Sequence, residues 1–146
     1  MIDYAHSPES LESILQAVKT YTKGRVICVF GCGGDRDKTK RPLMGETSGR
    51  IADFTIITTD NPRTEKPEDI ISEIEEGTKK TKGKYKVIVD RTEAIKEAIT
   101  MMNKRDIVVL AGKGHEKYQE INNKKIDYDE RVIVKEILNE MKKTKK

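Results

Sequence analysis

Four short polar segments of the sequence carry the residue types that could bind a charged ligand. They are Asp3-Tyr4-Ala5-His6, Gly31-Cys32-Gly33-Gly34-Asp35-Arg36-Asp37-Lys38, Asp60-Asn61-Pro62-Arg63 and Gly112-Lys113-Gly114-His115-Glu116. The last three each follow an apolar run that is typical of a buried β-strand. Ligands of open α/β sheets bind beyond the carboxyl ends of the strands, so these three segments are placed for binding.

The side chains of these segments indicate what kind of ligand would fit. Arg36 and Arg63 each have a planar guanidinium that can hold a carboxylate through two hydrogen bonds. Asp60 and Glu116 are anions, and the glycines beside Glu116 free the backbone where an ammonium group could be accepted. Together with the amide of Asn61, this mixture of both charge signs matches a zwitterion that has more than one carboxylate and amine.

Each segment alone is also compatible with a plain structural role. Asp60-Asn61-Pro62 fits an ordinary turn, residues 112–116 fit a loop that starts a turn, and His6 fits a cap or surface position before a helix. The glycine-rich loop lacks the Lys-Ser/Thr ending of a phosphate-binding loop and the third glycine of the dinucleotide fingerprint. It therefore predicts neither kind of nucleotide site, and its remaining charges fit a solvated surface.

The composition indicates a single domain with an aliphatic core. The chain has 146 residues, of which 37% are charged and 5% aromatic, and this length suits one core rather than two. The net charge of +4 comes largely from the last residues, Lys142 to Lys146, which are typical of a solvated tail. No basic stripe interleaved with aromatic residues occurs elsewhere, so we expect no nucleic-acid partner.

The sequence has no feature typical of a membrane or exported protein. No apolar run reaches the roughly 20 residues that a membrane span requires, and the N-terminus lacks the apolar core of a signal peptide. We therefore expect a cytoplasmic protein without membrane association. Cys28 and Cys32 are the only cysteines, and we expect neither a disulfide nor a metal site; Cys28 is predicted in the core and Cys32 as a loop thiol.

Apolar periodicity predicts alternating helices and strands. Helices are predicted from Ser7-Pro8, after Pro42, from Pro67, near Ala94 and from about Asp129, and strands at 25–30, 54–59, 85–89 and 107–110. The inner face of the second helix is predicted from Leu43, Met44, Thr47 and Ile51. Residues 118–121 and 124–128 flank Asn122-Asn123, which suits a tight hairpin. The pattern predicts one three-layer α/β domain, with a mostly parallel sheet and an antiparallel edge strand or hairpin near the C-terminus.

In their order along the chain, the four polar segments resemble the motif set of the C-terminal domain of the Mur ligases, and the resemblance covers residues 1–146. It implies a Rossmann-like domain that receives the incoming amino acid and closes over ATP held mainly by a central domain. The Asn61-Pro62-Arg63 pattern resembles the members that add meso-diaminopimelate, rather than lysine, to UDP-MurNAc-L-Ala-D-Glu in peptidoglycan synthesis.

The resemblance also implies a role for each motif residue. Arg63 would pair with the side-chain carboxylate of meso-diaminopimelate. The amino-acid site would be completed by Arg36, Asp60, Asn61, Gly112 and Glu116. Asp3 and His6 would border the nucleotide in the closed enzyme, with Asp3 at the ribose. No catalytic residue and no metal ligand is expected in this domain.

Several parts of a Mur ligase have no counterpart in the sequence. It lacks the ATP-binding loop that ends in Lys-Thr, the Mg²⁺ ligands, the carbamylated lysine and the UDP-binding N-terminal domain. We therefore expect ATP and Mg²⁺ to be held by a central domain outside this sequence, and the chain alone to be inactive. A stand-alone amino-acid or nucleotide sensor and an interaction module are the alternatives, since a fold does not determine a function.

Overall fold

A computed structural model of the protein describes residues 2–3, 5–112, 118–121 and 124–144. Strands and helices alternate along most of this chain. In order they are β1 (Ile2–Asp3), α1 (Pro8–Tyr21), β2 (Val26–Phe30), α2 (Lys40–Ile51), β3 (Phe54–Ile57), α3 (Pro67–Thr78), β4 (Lys84–Val87), α4 (Arg91–Met101), β5 (Ile107–Ala111), β6 (Tyr118–Ile121), β7 (Lys124–Asp127) and α5 (Glu130–Thr144).

The first five strands form one parallel sheet in the order β1-β5-β2-β3-β4. The central strand β2 is buried along its whole length, and its Cys28 lies opposite Val109 on one side and Thr55 on the other. A strand covered on both faces reads as a continuous apolar run rather than an alternating one. The predicted α/β fold with a mostly parallel sheet is confirmed.

Helices cover both faces of this sheet and complete the three layers. On one face α1, α2 and α3 bury Leu11, Leu15, Met44, Ile71 and Ile74 against the strands. On the other face α4 and α5 bury Ala94, Ile95, Ala98 and Ile137. Cys28 has no exposed surface and belongs to the core, as predicted. Among the helices of the described chain, none is both long enough and apolar enough to cross a membrane.

Two features of the sheets differ from the sequence prediction. The two-residue strand β1 was not predicted, and it pairs in parallel with the carboxyl end of β5. The predicted hairpin is present, because β6 and β7 pair antiparallel with Ile121 opposite Lys124. It forms a separate two-stranded sheet, so the described residues give the main sheet no antiparallel edge strand. Asn122 and Asn123 lie outside the described residues.

The second helix also departs from its prediction. It begins at Lys40 rather than after Pro42, and Leu43 is 51% exposed instead of facing the core. The reason is the close approach of α3, whose Gly77 touches the α2 backbone: a Cβ at Gly77 would collide with the Pro42 carbonyl group. Leu43 is left outside, and the buried residues of α2 are Arg41, Met44, Gly45, Thr47, Ser48, Gly49 and Ile51.

Candidate functional site

The sheet order creates a topological switch point between β2 and β5. From β2 the chain runs outward to β3 and β4, and it then returns through α4 to β5 on the other side of β2. Loops that leave the carboxyl ends of two such strands run in opposite directions and leave a crevice between them. A cleft of about 360 Å³ lies there.

Most of the predicted site residues line this cleft. They are His6, Arg36, Asp60, Asn61, Arg63 and Gly112. The main chain of Asp3 belongs to β1, which lies beside β5. Residues 113–117, which include Glu116, lie outside the described residues. The structure thus brings together segments that are about 25 to 50 residues apart in sequence, because parallel strands deliver their carboxyl ends to one edge.

The end of β3 supplies the floor of the cleft. Asp60 is 7% exposed and Asn61 is 4% exposed, so both are held inside the protein rather than on a surface turn. The hydroxyl groups of Thr58 and Thr59 donate to the Val89 carbonyl oxygen at 3.3 and 2.5 Å. These bonds fix the chain directly before Asp60.

Arg63 is held in an unusual conformation at the rim of the cleft. Its φ of 53° lies in the left-handed region, which costs about 1–3 kcal/mol for a residue other than glycine. Its Nη1 donates to the carbonyl oxygens of Gly34 at 2.9 Å and Asn61 at 3.4 Å. A Cβ at Gly33 would lie 2.8 Å from this nitrogen. The guanidinium is therefore positioned by the backbone of the glycine-rich loop.

The glycine-rich loop packs directly on the Asp60–Arg63 loop. The Gly34 N–H donates to the Asn61 carbonyl oxygen at 2.7 Å, and a Cβ at Gly34 would collide with the Pro62 carbonyl group. A side chain at this position would separate the two loops. The glycines thus allow two backbones to approach each other closely. This role differs from phosphate or dinucleotide binding, which the sequence of the loop excluded.

Arg36 and Lys40 bring cations to the same cleft. Arg36 is exposed, and its Nη1 donates to the Asp35 carbonyl oxygen at 3.2 Å. Lys40, which was not predicted as a site residue, is the first residue of α2. Together with Arg63 they bring three cationic side chains to the cleft, whereas Asp37 and Asp60 bring two carboxylates.

Cys32 lines the cleft and is a loop thiol, as predicted, but it is buried. It lies in the loop after β2, yet it is only 9% exposed, and its Sγ lies 3.6 Å from Met44 Sδ. Burial is the main reason that its pKa rises to about 12. A thiol with such a pKa stays protonated at neutral pH, and a protonated thiol is a poor nucleophile. Among the described residues, no group of His, Cys, Asp and Glu could hold a metal ion.

Arg41 was not predicted as a site residue, yet it organises the loops behind the cleft. Arg41 is 1% exposed, although its charged neighbours suggested a solvated run. Its Nη2 donates to the Gly33 carbonyl oxygen at 3.1 Å and to Glu65 Oε2 at 2.6 Å, and its Nη1 also binds Glu65 and Glu73. Helical spacing was the available signal, because Arg41 precedes Met44 by one turn on the buried face of α2.

Glu65 predicts a pH dependence of stability. Its hydrogen bond from Arg41 is the main reason that its pKa falls from an ordinary 4.5 to about 2. Because the folded state has the lower pKa, this contribution is complete above about pH 4.5 and is lost as the pH falls toward 2. Urea unfolding of Glu65→Gln should show lower stability at pH 7 and a smaller loss on acidification than wild type. Glu76→Gln is the exposed control, and an unchanged pH profile in Glu65→Gln would contradict this assignment.

The family to which the chain belongs agrees with this geometry. A family model described as Mur ligase, glutamate ligase domain, matches residues 1–114. The chain belongs to this family. The Mur ligase resemblance predicted from the four motifs is therefore confirmed.

Individual relatives of this Mur ligase domain carry a more specific name. The chain is 59% identical over 142 residues to UDP-N-acetylmuramoyl-L-alanyl-D-glutamate–2,6-diaminopimelate ligase of Caldanaerobacter subterraneus subsp. tengcongensis, covering 97% of this chain and 30% of that protein. It is 52% identical over 141 residues to ligase 1 of the same name from Clostridium acetobutylicum, covering 97% of this chain and 29% of that protein. A solved structure of a ligase of this name superimposes with a TM-score of 0.91 at 43% identity, covering 96% of this chain and 29% of the other. The Mur ligase domain thus spans about 30% of the length of the curated relatives it matches.

Proposed function

We propose that this domain supplies the amino-acid site of an ATP-dependent ligase that adds meso-diaminopimelate to UDP-MurNAc-L-Ala-D-Glu in peptidoglycan synthesis. The observation that carries the proposal is the cleft at the switch point, where Arg36, Arg63, Asp60 and Asn61 converge. Relatives that are named for this reaction and are 59% and 52% identical support it.

The charges of the cleft match a diamino diacid. Arg63 would hold the side-chain carboxylate of meso-diaminopimelate, since its guanidinium is already oriented by Gly34. Arg36 and Asn61 would bind the second carboxylate. Asp60 would accept an ammonium group, together with Glu116. At Gly112 the backbone has a φ of 110°, a conformation that glycine adopts readily and that would bring the main chain close to the ligand.

The proposed contribution of this chain to the reaction is orientation. The ligase would form an acyl phosphate from the D-glutamate carboxylate and ATP, and the amine of diaminopimelate would then attack the acyl carbon and release phosphate. Holding the amine in line with that carbon can supply a large part of the rate. Asp3 and His6 would border the nucleotide when the domain closes, because β1 brings their segment to the edge of the cleft.

We assign the remaining functions to other parts of a longer protein. The described residues contain no group suited to a metal ion, so they do not fit Mg²⁺, which we assign with most of the ATP contacts to a central domain. The UDP group would lie on an N-terminal domain. This chain alone should therefore have no ligase turnover. A reaction that uses ATP and a UDP-linked substrate belongs in the cytoplasm, where we propose that it occurs.

Calorimetric titration of the 146-residue chain tests the amino-acid site directly. We expect binding of meso-diaminopimelate and at least about tenfold weaker binding of L-lysine, since lysine lacks the carboxylate that Arg63 would hold and each tenfold change corresponds to about 1.4 kcal/mol. Arg50→Ala, on the exposed surface of α2, is the control that should leave both affinities unchanged. Equal affinity for the two amino acids would contradict the proposal. Tight ATP binding by this chain alone would instead indicate a nucleotide sensor.

A further inference from the structure

A second buried arginine lies beneath the cleft, outside the set of motif residues. Arg91 is the first residue of α4 and is 2% exposed. Its Nη1 donates to the Thr59 carbonyl oxygen at 3.0 Å, and its Nη2 donates to the Ala111 carbonyl oxygen at 3.1 Å. These two residues directly precede Asp60 and Gly112, which lie on the cleft.

The position of Arg91 in the fold gives these two bonds a specific consequence. Thr59 follows β3 and Ala111 ends β5, and β2 lies between these strands in the sheet. No ladder of main-chain hydrogen bonds therefore joins β3 to β5. The chain diverges at the switch point, and the guanidinium of Arg91 connects the two strand ends directly across β2.

Glu130 completes the arrangement and links it to α5. The Nε of Arg91 donates to Glu130 Oε2 at 2.8 Å, and neither side chain has exposed surface. Burial disfavours the charged guanidinium, but the carboxylates of Glu130 and Asp60 outweigh this effect and leave the pKa of Arg91 above its ordinary value. The guanidinium of Arg91 therefore stays charged. Its three nitrogens donate to Glu130 Oε2, the Thr59 carbonyl oxygen and the Ala111 carbonyl oxygen.

We infer that Arg91 and Glu130 form a positioning pair that sets the separation of Asp60 and Gly112 across the cleft. Arg91 touches the backbone behind these residues, so it acts through them. On the proposed function, the pair determines how well the cleft fits its amino acid. The effect on the backbone itself does not depend on that function.

A double variant separates positioning from stability. Replacing a buried ion pair by apolar residues of similar volume is often neutral or stabilising, but the Thr59 and Ala111 carbonyl oxygens each lose a hydrogen bond. Arg91→Met with Glu130→Leu should therefore remain folded, with a thermal midpoint lowered by about 10 °C or less. Its amide hydrogens at residues 60, 61 and 112 should exchange at least about tenfold faster than in wild type, because the Arg91 guanidinium no longer holds the two strand ends. Its Kd for meso-diaminopimelate should rise about tenfold, as expected when about 1.4 kcal/mol is lost.

Arg25 provides a matched control at the amino ends of the strands, where it directly precedes β2. Its Nη2 donates to the Met101 carbonyl oxygen at 2.8 Å and to Asp106 Oδ2 at 2.9 Å, so it also joins elements through a carboxylate and a carbonyl group. Arg25→Met should leave exchange at residues 60, 61 and 112 and the Kd for meso-diaminopimelate as in wild type.

A conservative variant keeps the test decisive if the double variant does not fold. Arg91→Lys preserves the charge beside Glu130 but cannot reach all three acceptors, so exchange should rise at one or both strand ends. Folded variants with wild-type exchange at residues 60, 61 and 112 would overturn the inference. A wild-type chain that does not bind meso-diaminopimelate would overturn the proposed function, and the exchange rates would still decide whether the pair positions the backbone.

Discussion

On the proposed function, replacing Arg63 by alanine should lower kcat/KM for meso-diaminopimelate by about 30-fold to a few thousand-fold in the full-length ligase. Removing one partner of a buried charge pair costs about 2–5 kcal/mol, which corresponds to this range. Arg63→Lys should recover little, because a point charge cannot reproduce a fork that is already anchored on the Gly34 carbonyl oxygen at 2.9 Å. The measurement is kcat/KM for meso-diaminopimelate and for lysine with each variant.

Lysine distinguishes loss of recognition from general damage. It has no carboxylate for Arg63 to hold, so its low kcat/KM should change little in Arg63→Ala. The variant should become a poor enzyme rather than a lysine-specific one. Arg50→Ala is the control for removal of a positive charge away from the cleft. An Arg63→Ala enzyme with its full preference for meso-diaminopimelate would remove Arg63 from the site and contradict the substrate assignment.

Gly77→Ala should destabilise the domain by about 1–3 kcal/mol, although alanine is the better helix former by about 1 kcal/mol. The added Cβ would collide with the Pro42 carbonyl group, which belongs to the backbone of α2 and cannot move as a side chain would. Gly77→Val should cost more, because its branches extend further into the same contact. Urea unfolding monitored by circular dichroism measures both changes.

Glu76→Ala is the matched control for Gly77→Ala, since it adds the same residue one position earlier on an exposed surface of α3. Its stability should stay within about 0.5 kcal/mol of wild type. A Gly77→Ala domain that is more stable than wild type would show that α2 and α3 can separate at little cost. Because α2 carries Arg41 and Lys40, such a separation would also loosen the loops at the cleft.

Local rules were enough to predict most of the elements from the sequence. Ser7 caps α1 by accepting a hydrogen bond from the Ser10 N–H at 3.1 Å, and Pro67 begins α3 at the predicted residue. The buried strands were recognisable because both of their faces are covered, which requires a continuous apolar run. The motif residues at the cleft followed from these elements, since the end of a parallel strand determines which edge of the sheet its loop occupies.

Only the tertiary structure decided which charged residues are buried. Arg91 and Glu130 are 39 residues apart in sequence, and Arg41 and Glu65 are 24 apart. A charge can be buried when a distant partner and main-chain carbonyl groups surround it, and no local pattern contains that information. Long-range packing also decided the exposure of Leu43 and the pairing of the two-residue strand β1. The sequence by itself thus determined the elements and the residues at their ends, whereas long-range packing determined the spacing between those ends and the side chains that hold it.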